Sequence, residues 1–117
     1  MARPDINHSA GIYDKIIASS LENDLDPNVM LNIAFCESSL RQFNDDGTAL
    51  RGTHNALDVG IFQINEKYHL ETSRRLGYDI YTTEGNIDYA IWLMKKEGTQ
   101  PWVWSRDACW SKKLAAK

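Results

Sequence analysis

One glutamate stands where its carboxyl group could donate a proton. Glu37 lies in the segment 34–40 (AFCESSL), four residues after Ile33 and seven after Met30, so in a helix its carboxyl lies at the edge of an apolar stripe. Desolvation at such a place disfavours the charged form and raises the pKa, as a proton donor near neutral pH requires. The alternative is an exposed glutamate at a helix end, and the spacing alone leaves both open.

A second group of polar side chains interrupts an apolar segment further along the chain. In residues 55–65 (NALDVGIFQIN), Asp58, Gln63 and Asn65 stand among Val, Ile and Phe, and buried acids and amides require hydrogen-bonding partners. A strand here places Gln63 and Asn65 on one face and Asp58 and Gly60 on the other, where a glycine lets a ligand or another stretch of backbone approach closely. The alternative is a hairpin whose amides bond loop backbone groups.

Helical periodicity flanks these two segments. The pattern predicts a first helix from about Ser9, as N-cap, to Leu25, and the pair Asp26-Pro27 predicts the start of a second helix that runs to about Leu40. Turn-rich sequence in residues 43–65, with a strand at 59–62, predicts a small β-hairpin. Further helices are predicted at about residues 66–76 and 83–96. The order predicts one mainly helical α+β domain over residues 1–117, with a tail at 111–117 that frays.

The composition narrows the classes of function. The chain has 117 residues, of which 43% are hydrophobic, and 13 basic against 16 acidic side chains give a net charge of −3. We therefore expect no basic patch for nucleic acid or an anionic membrane. No apolar run reaches the about 20 residues of a membrane span, and the early residues lack the apolar core of a secretory signal. Because His8, His54 and His69 lack metal-ligand spacing, we expect no metal or other cofactor.

Taken together, the two polar segments resemble the lysozyme superfamily. The residues ESSL from Glu37 and GIFQI from Gly60 are similar to the E-S-x-[FL] and G-[IL]-[FLM]-Q-[IL] motifs of soluble lytic transglycosylase domains, and residues 58–65 also resemble animal-type lysozymes. Downstream, Asn86 begins a pair similar to the family's Asn-Ile helix, and residues 98–109 are similar to its tryptophan-bearing closing segment. The resemblance implies a lysozyme-like fold with a helical core, a small β-hairpin region and a substrate cleft between lobes.

The same resemblance implies cleavage of the β-1,4 bond between N-acetylmuramic acid and N-acetylglucosamine in peptidoglycan glycan strands. Glu37 matches the family's catalytic acid, and Asp58 occupies the position of the second carboxylate of animal-type lysozymes. Hydrolysis follows if Asp58 faces Glu37, and anhydro-forming transglycosylation follows if it points away. A catalytically silent glycan- or partner-binding protein and a chitin-cleaving enzyme remain alternatives. The residues implied to line the cleft and bind substrate are Ser38, Gln63, Asn65 and Trp102.

The two cysteines leave two states open. Cys36 adjoins Glu37, and Cys109 follows the implied cleft segment, so a bridge between them and two buried free thiols are both considered. A bridge suits an oxidising site outside the cytoplasm, where peptidoglycan also lies, and we therefore expect an extracytoplasmic protein. We also expect a monomer.

Overall fold

Helices make up most of the chain. The computed structural model describes residues 6–112. The longer helices are α1 (Ser9–Glu22), α2 (Pro27–Ser38), α3 (Glu66–Arg75) and α4 (Thr83–Glu97), and a two-stranded sheet, β1 (Asp58–Val59) and β2 (Ile64–Asn65), lies between α2 and α3 in sequence. This is the mainly helical α+β class that the sequence predicts.

The first helix is shorter than its periodicity predicts. It ends at Glu22 because Asp24 adopts a left-handed conformation with φ of 58°, and the Leu25 N–H then bonds back to the Ser20 carbonyl at 2.8 Å. The prediction of a helix through Leu25 is therefore wrong at its end. The predicted N-cap is wrong as well, since His8 occupies that position and makes no capping hydrogen bond through its side chain.

The second helix begins as predicted and ends early. Asp26 is its N-cap, and the Asp26 carboxylate accepts a hydrogen bond from the Asn28 N–H at 2.9 Å. The helix stops at Ser38, not at Leu40, because Ser39 and Leu40 both have positive φ, at 56° and 60°. Two consecutive left-handed residues turn the chain away at once, so Glu37 lies in the last turn of α2.

The segment between the two strands is a turn and not a strand. β1 and β2 pair antiparallel, with Asp58 opposite Asn65. The intervening residues 60–63 form the turn, with φ of 73° at Gly60 and 49° at Gln63. The predicted strand at residues 59–62, with alternating faces, is therefore wrong, and the apolar side chains of this segment, Val59, Ile61, Phe62 and Ile64, are all buried.

The later helices agree with the sequence pattern to within a residue. α4 is capped by the Thr82 hydroxyl, which accepts from the Gly85 N–H at 3.0 Å, and it ends before Gly98, whose φ is 64°. After it come a 3-10 turn at Gln100–Trp102, the short helix α5 (Val103–Ser105) and a π-helical turn at Arg106–Trp110. Ser111 and Lys112 are also helical, and residues 113–117 of the predicted tail lie outside the described residues.

α1 packs against both α2 and α4, and the β turn inserts its apolar side chains into the same core. Within residues 6–112, no helix combines the length and apolarity needed to cross a bilayer. The side chains that are less than 2% exposed include Ile12, Ile16, Met30, Ile33, Val59, Ile61, Phe62, Ile80, Ile87 and Tyr89.

Candidate active site

Two adjoining cavities meet at Glu37 and Asp58. One has a volume of about 310 Å³ and is bounded on its far side by α3 and by Pro101. The other has a volume of about 770 Å³ and extends over residues 50–55. Both are lined by the two carboxylates, so a ligand crossing from one cavity to the other passes between or beside them. The lining residues common to the two cavities are Glu37, Asn55, Asp58, Gln63 and Trp104.

The Glu37 carboxyl is half-buried and has one specific partner. The Ser105 hydroxyl donates a hydrogen bond to Glu37 Oε1 at 2.6 Å. Burial raises the pKa of Glu37 above its usual value; the Ser105 hydrogen bond opposes this, and the negative charge of Asp58 adds to it. The raised pKa confirms the direction predicted from the sequence and keeps a larger fraction of Glu37 protonated near neutral pH.

A disulfide joins Cys36 to Cys109, with the Cα atoms 5.9 Å apart. Of the two states left open by the sequence, the structure has the bridge. Because Cys36 precedes Glu37 in α2 and Cys109 lies in the π-helical turn, the bond ties the segment that carries Trp104 and Ser105 to the helix that carries the glutamate. The cross-link thus holds the partner of Glu37 close to it.

Asp58 is oriented by a neighbouring amide. Asn65 lies opposite it in the sheet, and the Asn65 side-chain N–H donates to Asp58 Oδ1 at 3.0 Å. The carbonyl oxygen of the same amide accepts from the backbone N–H groups of Lys67 and Tyr68, at 3.0 and 3.3 Å, and so caps α3. Both ends of the Asn65 amide are therefore occupied, one by the carboxylate and one by the helix.

The turn between β1 and β2 is held from behind by two fully buried amides. Gln42 accepts from the Ile61 N–H at 3.0 Å and donates to the Ile80 carbonyl at 3.0 Å. Asn86 accepts from the Phe62 N–H at 2.9 Å and donates to the Val59 carbonyl at 2.9 Å. These bonds satisfy the buried backbone of the turn and fix the position of Asp58 and Gln63 at its ends.

Gly60 lets the two amides approach. A Cβ atom added at Gly60 would lie 2.3 Å from Gln42 Oε1 and 2.6 Å from Asn86 Nδ2, and φ there is 73°. A side chain at this position would therefore collide with the amides that hold the turn. The glycine predicted to admit a ligand or another stretch of backbone admits two buried side chains instead.

The residues predicted to bind substrate line the cavities, but several have their polar atoms bonded within the protein. The Ser38 hydroxyl donates to the Ala34 carbonyl at 3.1 Å, and the Gln63 side-chain N–H donates to the Gly60 carbonyl at 2.9 Å. The indole N–H of Trp102 donates to the Phe62 carbonyl at 2.9 Å, and the side chain is 3% exposed. Trp102 therefore backs the wall of the smaller cavity and does not offer a free ring face.

Other residues that the sequence did not single out as substrate-binding line the same cavities. Trp104 is 95% exposed and lines both, while Tyr68, which is 73% exposed, lines the smaller one. His69 also lines the smaller cavity, and its Nδ1 lies 2.8 Å from the hydroxyl of the buried Tyr89. The position of Tyr68 and His69 in the sequence could have identified them as lining residues, because both follow the N-cap Asn65 in the first turn of α3. For Ser105 no local signal exists.

Among the described residues, no group of three or more His, Cys, Asp or Glu side chains is placed to hold a metal ion. The arrangement offers instead two carboxyl groups, Glu37 with a raised pKa and Asp58, which line the same space with an exposed indole at the junction of two cavities. Such a pair can transfer a proton to a bound group and stabilise positive charge that develops beside it.

No protein-family model matches the chain, and comparison with curated proteins and with solved structures finds no significant match.

Proposed function

We propose that the protein is a peptidoglycan-cleaving glycosidase with a lysozyme-like fold, acting on the β-1,4 bond between N-acetylmuramic acid and N-acetylglucosamine. The observation that carries the proposal is the half-buried carboxyl of Glu37, whose pKa is raised by burial, at the meeting point of two cavities that Asp58 also lines. Glycoside cleavage uses two carboxyl groups in two different environments, and this site has both.

Glu37 is the general acid in this proposal. Its proton passes to the glycosidic oxygen as the bond to the sugar breaks, which leaves an oxocarbenium-like centre on the ring. The Ser105 hydroxyl, 2.6 Å from Oε1, restricts the rotation of the carboxyl group and leaves Oε2 available for the leaving oxygen. The ionised Glu37 then accepts a proton from the water that completes the reaction.

Asp58 supports hydrolysis over anhydro-forming transglycosylation. It lines both cavities together with Glu37, so its carboxylate is available to the ring that becomes positive. The Asn65 amide holds that carboxylate in place at 3.0 Å. With a second carboxylate beside the cleaved bond, the site has a group that can stabilise the cation or activate water. The substrate's own hydroxyl group is then not required to complete the reaction.

The two cavities suit a polymeric substrate. The larger one, of about 770 Å³, holds sugars on one side of the carboxylates, and the smaller one, of about 310 Å³, holds sugars on the other. Trp104 presents a nearly fully exposed ring at the junction, where a pyranose face can pack against it. Trp102 supports this wall from inside.

The decisive test is cleavage of purified peptidoglycan by the wild-type protein and by the Glu37→Gln variant. We expect the wild type to clear a suspension of cell walls and the variant to lose activity about a thousandfold, because an amide does not donate the proton. Glu71→Gln, at an exposed position of α3, is the matched control and is expected to retain wild-type activity. Wild-type turnover by Glu37→Gln would assign the acid elsewhere.

Mass spectrometry of the products then distinguishes the chemistry. Intact reducing ends support hydrolysis, and 1,6-anhydro ends would assign transglycosylation. Chitin oligomers, which lack the lactyl group, are compared in parallel, and preferential cleavage of chitin would overturn the peptidoglycan assignment. Binding of glycan strands without any cleavage would identify a catalytically silent protein.

A further inference from the structure

A third cavity lies on the outer side of α1 and α4 and shares no lining residue with the two cavities at Glu37. We call it the α1–α4 cavity; its volume is about 640 Å³. The buried side chains of Ser19 and Ile91 line it, together with the half-buried Trp92. It is therefore a recess in the surface that is separate from the two cavities at Glu37 and has the Trp92 side chain in its wall.

The charged groups that line this cavity are three lysines, Lys15, Lys95 and Lys96, and two carboxylates, Glu22 and Asp88. Lys95 donates to the neutral Asn23 amide at 3.2 Å, and Lys96 lies 5.0 Å from the centroid of the Trp92 ring. In the described part of the chain neither lysine forms an ion pair, whereas Lys15 is paired with Asp88 at 3.1 Å. Because Lys15 is paired with Asp88, Lys95 and Lys96 remain against the single carboxylate of Glu22. The cavity therefore carries an excess of one positive charge in a chain of net charge −3, which favours an anionic ligand.

The indole N–H of Trp92 is available to donate a hydrogen bond to a ligand. The indole N–H groups of Trp102 and Trp110 donate to backbone carbonyls, but that of Trp92 has no acceptor among the described residues. One flank of its ring packs on Tyr89, with centroids 5.4 Å apart. A ring backed on one side by the core and bordered by donors is the arrangement that binds a sugar through its apolar face and its oxygens.

The α1–α4 cavity is close to the smaller cavity at the carboxylates. His69 lines that smaller cavity, its ring lies 5.5 Å from Tyr89, and Tyr89 in turn contacts Trp92. Three side chains in contact therefore separate the two recesses.

From these observations we propose that the α1–α4 cavity is a second binding site for glycan that carries carboxylate groups, such as a strand of peptidoglycan with its peptide stems. The pyranose face packs on Trp92 and a carboxylate binds Lys95 and Lys96. This inference rests on the proposed function for the identity of the polymer. It gives an acidic protein a positively charged contact with an anionic wall, away from the cleaved bond.

Lys96 does not block this site. Its side chain is exposed, and a cation over an aromatic ring at an exposed position is held weakly. A carboxylate that arrives with the sugar attracts the Lys96 ammonium from the ring face to itself. The lysine then contributes to binding, and the ring face becomes available to the pyranose.

The test is binding of the catalytically inert Glu37→Gln protein to purified sacculi from which phosphate polymers have been removed with hydrofluoric acid. In that background Lys95→Glu and Trp92→Ala are each compared with Arg75→Glu, an exposed charge reversal that lines none of the described cavities. We expect the first two to weaken binding about tenfold at low salt and Arg75→Glu to weaken it less than about twofold.

Equal weakening by Arg75→Glu and Lys95→Glu would overturn the proposal, because it would show attraction by net charge alone. Wild-type binding by Lys95→Glu would also overturn it. If Trp92→Ala remains folded by thermal unfolding and binds like the parent, the saccharide contact is excluded. The measurement does not depend on turnover, so a failure here is distinct from a failure of the wild type to cleave peptidoglycan.

Discussion

The two carboxylates at the site are held by two different kinds of interaction. The glutamate wall, residues 36–38 with 103–109, is joined by the Cys36–Cys109 disulfide and by the Ser105 hydroxyl on Glu37. The aspartate wall, residues 58–65, contains no covalent cross-link and is held by the amides of Gln42, Asn86 and Asn65. The glutamate wall depends on a disulfide, which acts by constraining the unfolded chain. The aspartate wall depends on hydrogen bonds that pair its buried polar groups in the folded protein.

This difference matches the chemistry that each side chain performs in the proposed reaction. Glu37 must be protonated when the reaction begins, which burial promotes, and buried surroundings offer few polar contacts to position it. The Cys36–Cys109 disulfide positions the residues around Glu37 without adding charge or hydrogen-bond donors. Asp58 acts as a carboxylate in that reaction, and the Asn65 amide holds it in position through one hydrogen bond.

Removing the disulfide tests the glutamate wall and has the largest expected effect. With the cysteines separated by 73 positions in the sequence, loop-closure arithmetic predicts that Cys36→Ala/Cys109→Ala lowers the free energy of unfolding by about 4 kcal/mol. Hydrogen exchange should accelerate in residues 103–110 before it does in 58–65. Denaturant unfolding with and without reductant measures the loss, and the double variant should not respond to reductant. A loss below about 1 kcal/mol would show that packing alone holds this wall.

Gly60→Ala tests the aspartate wall. The added methyl group would meet Gln42 and Asn86 and would adopt a left-handed conformation, so we expect the free energy of unfolding to fall by about 3 kcal/mol. Gly77→Ala is the matched control: its φ is 85°, but no atom lies within 4 Å of the added Cβ. It should lose about 1 kcal/mol, from backbone strain alone. Equal losses in the two variants would mean that the amides shift at little cost.

Asn65→Ala separates the orientation of Asp58 from the capping of α3. Loss of an N-cap lowers the free energy of unfolding by about 1 kcal/mol, and Thr82→Ala, which uncaps α4, is expected to lose a similar amount. Only Asn65→Ala frees the Asp58 carboxylate, so we expect about a tenfold loss of cleavage in that variant alone. Equal activity in the two variants would show that Asp58 needs no orientation.

Ser105→Ala has the smallest expected effect, a shift in pH dependence. The Ser105 hydrogen bond lowers the pKa of Glu37, so its removal raises that pKa further. A general acid works in its protonated form, and activity therefore falls as pH rises through the pKa of Glu37. We expect this alkaline limb of the pH–rate profile to move to higher pH in Ser105→Ala. A shift to lower pH would contradict the assignment of Glu37 as the acid.

The same raised pKa has a consequence for stability. Because the folded protein holds the Glu37 proton more tightly than the unfolded chain does, this group's contribution favours folding at low pH and declines as pH rises from the unfolded pKa to the folded one. Glu37→Gln removes that decline. Unfolding measured across this interval in the two proteins checks the sign independently of activity.

The sequence predicted what depends on neighbours within a few residues. Apolar spacing located the helices, Asp26-Pro27 located the start of α2, and the neighbours of Glu37 predicted the direction of its pKa shift. The partner of Glu37 was not predictable, because Ser105 is 68 residues away and meets it only in the folded chain. The turn at residues 60–63 was misread as a strand, since every apolar side chain there is buried and no alternation reveals the turn.

The tryptophans illustrate the same limit. Residues 102–104 read Trp-Val-Trp, and nothing in that pattern distinguishes the ring that backs the wall from the ring that faces solvent. The distinction arises because the Phe62 carbonyl accepts the Trp102 indole N–H across 40 residues. Trp104, without such a bond, is left 95% exposed.

The Asn65 amide ties the geometry of a charged group to the integrity of a helix. Its N–H side touches Asp58 and its carbonyl side touches the first turn of α3, so a movement of the Asn65 side chain disturbs both contacts. Glutamine is longer by a methylene and would displace one contact, and aspartate at residue 65 would set two negative charges side by side. Few substitutions preserve both functions, and the amide exchange rates of Lys67 and Tyr68 report how often the Asn65 cap opens.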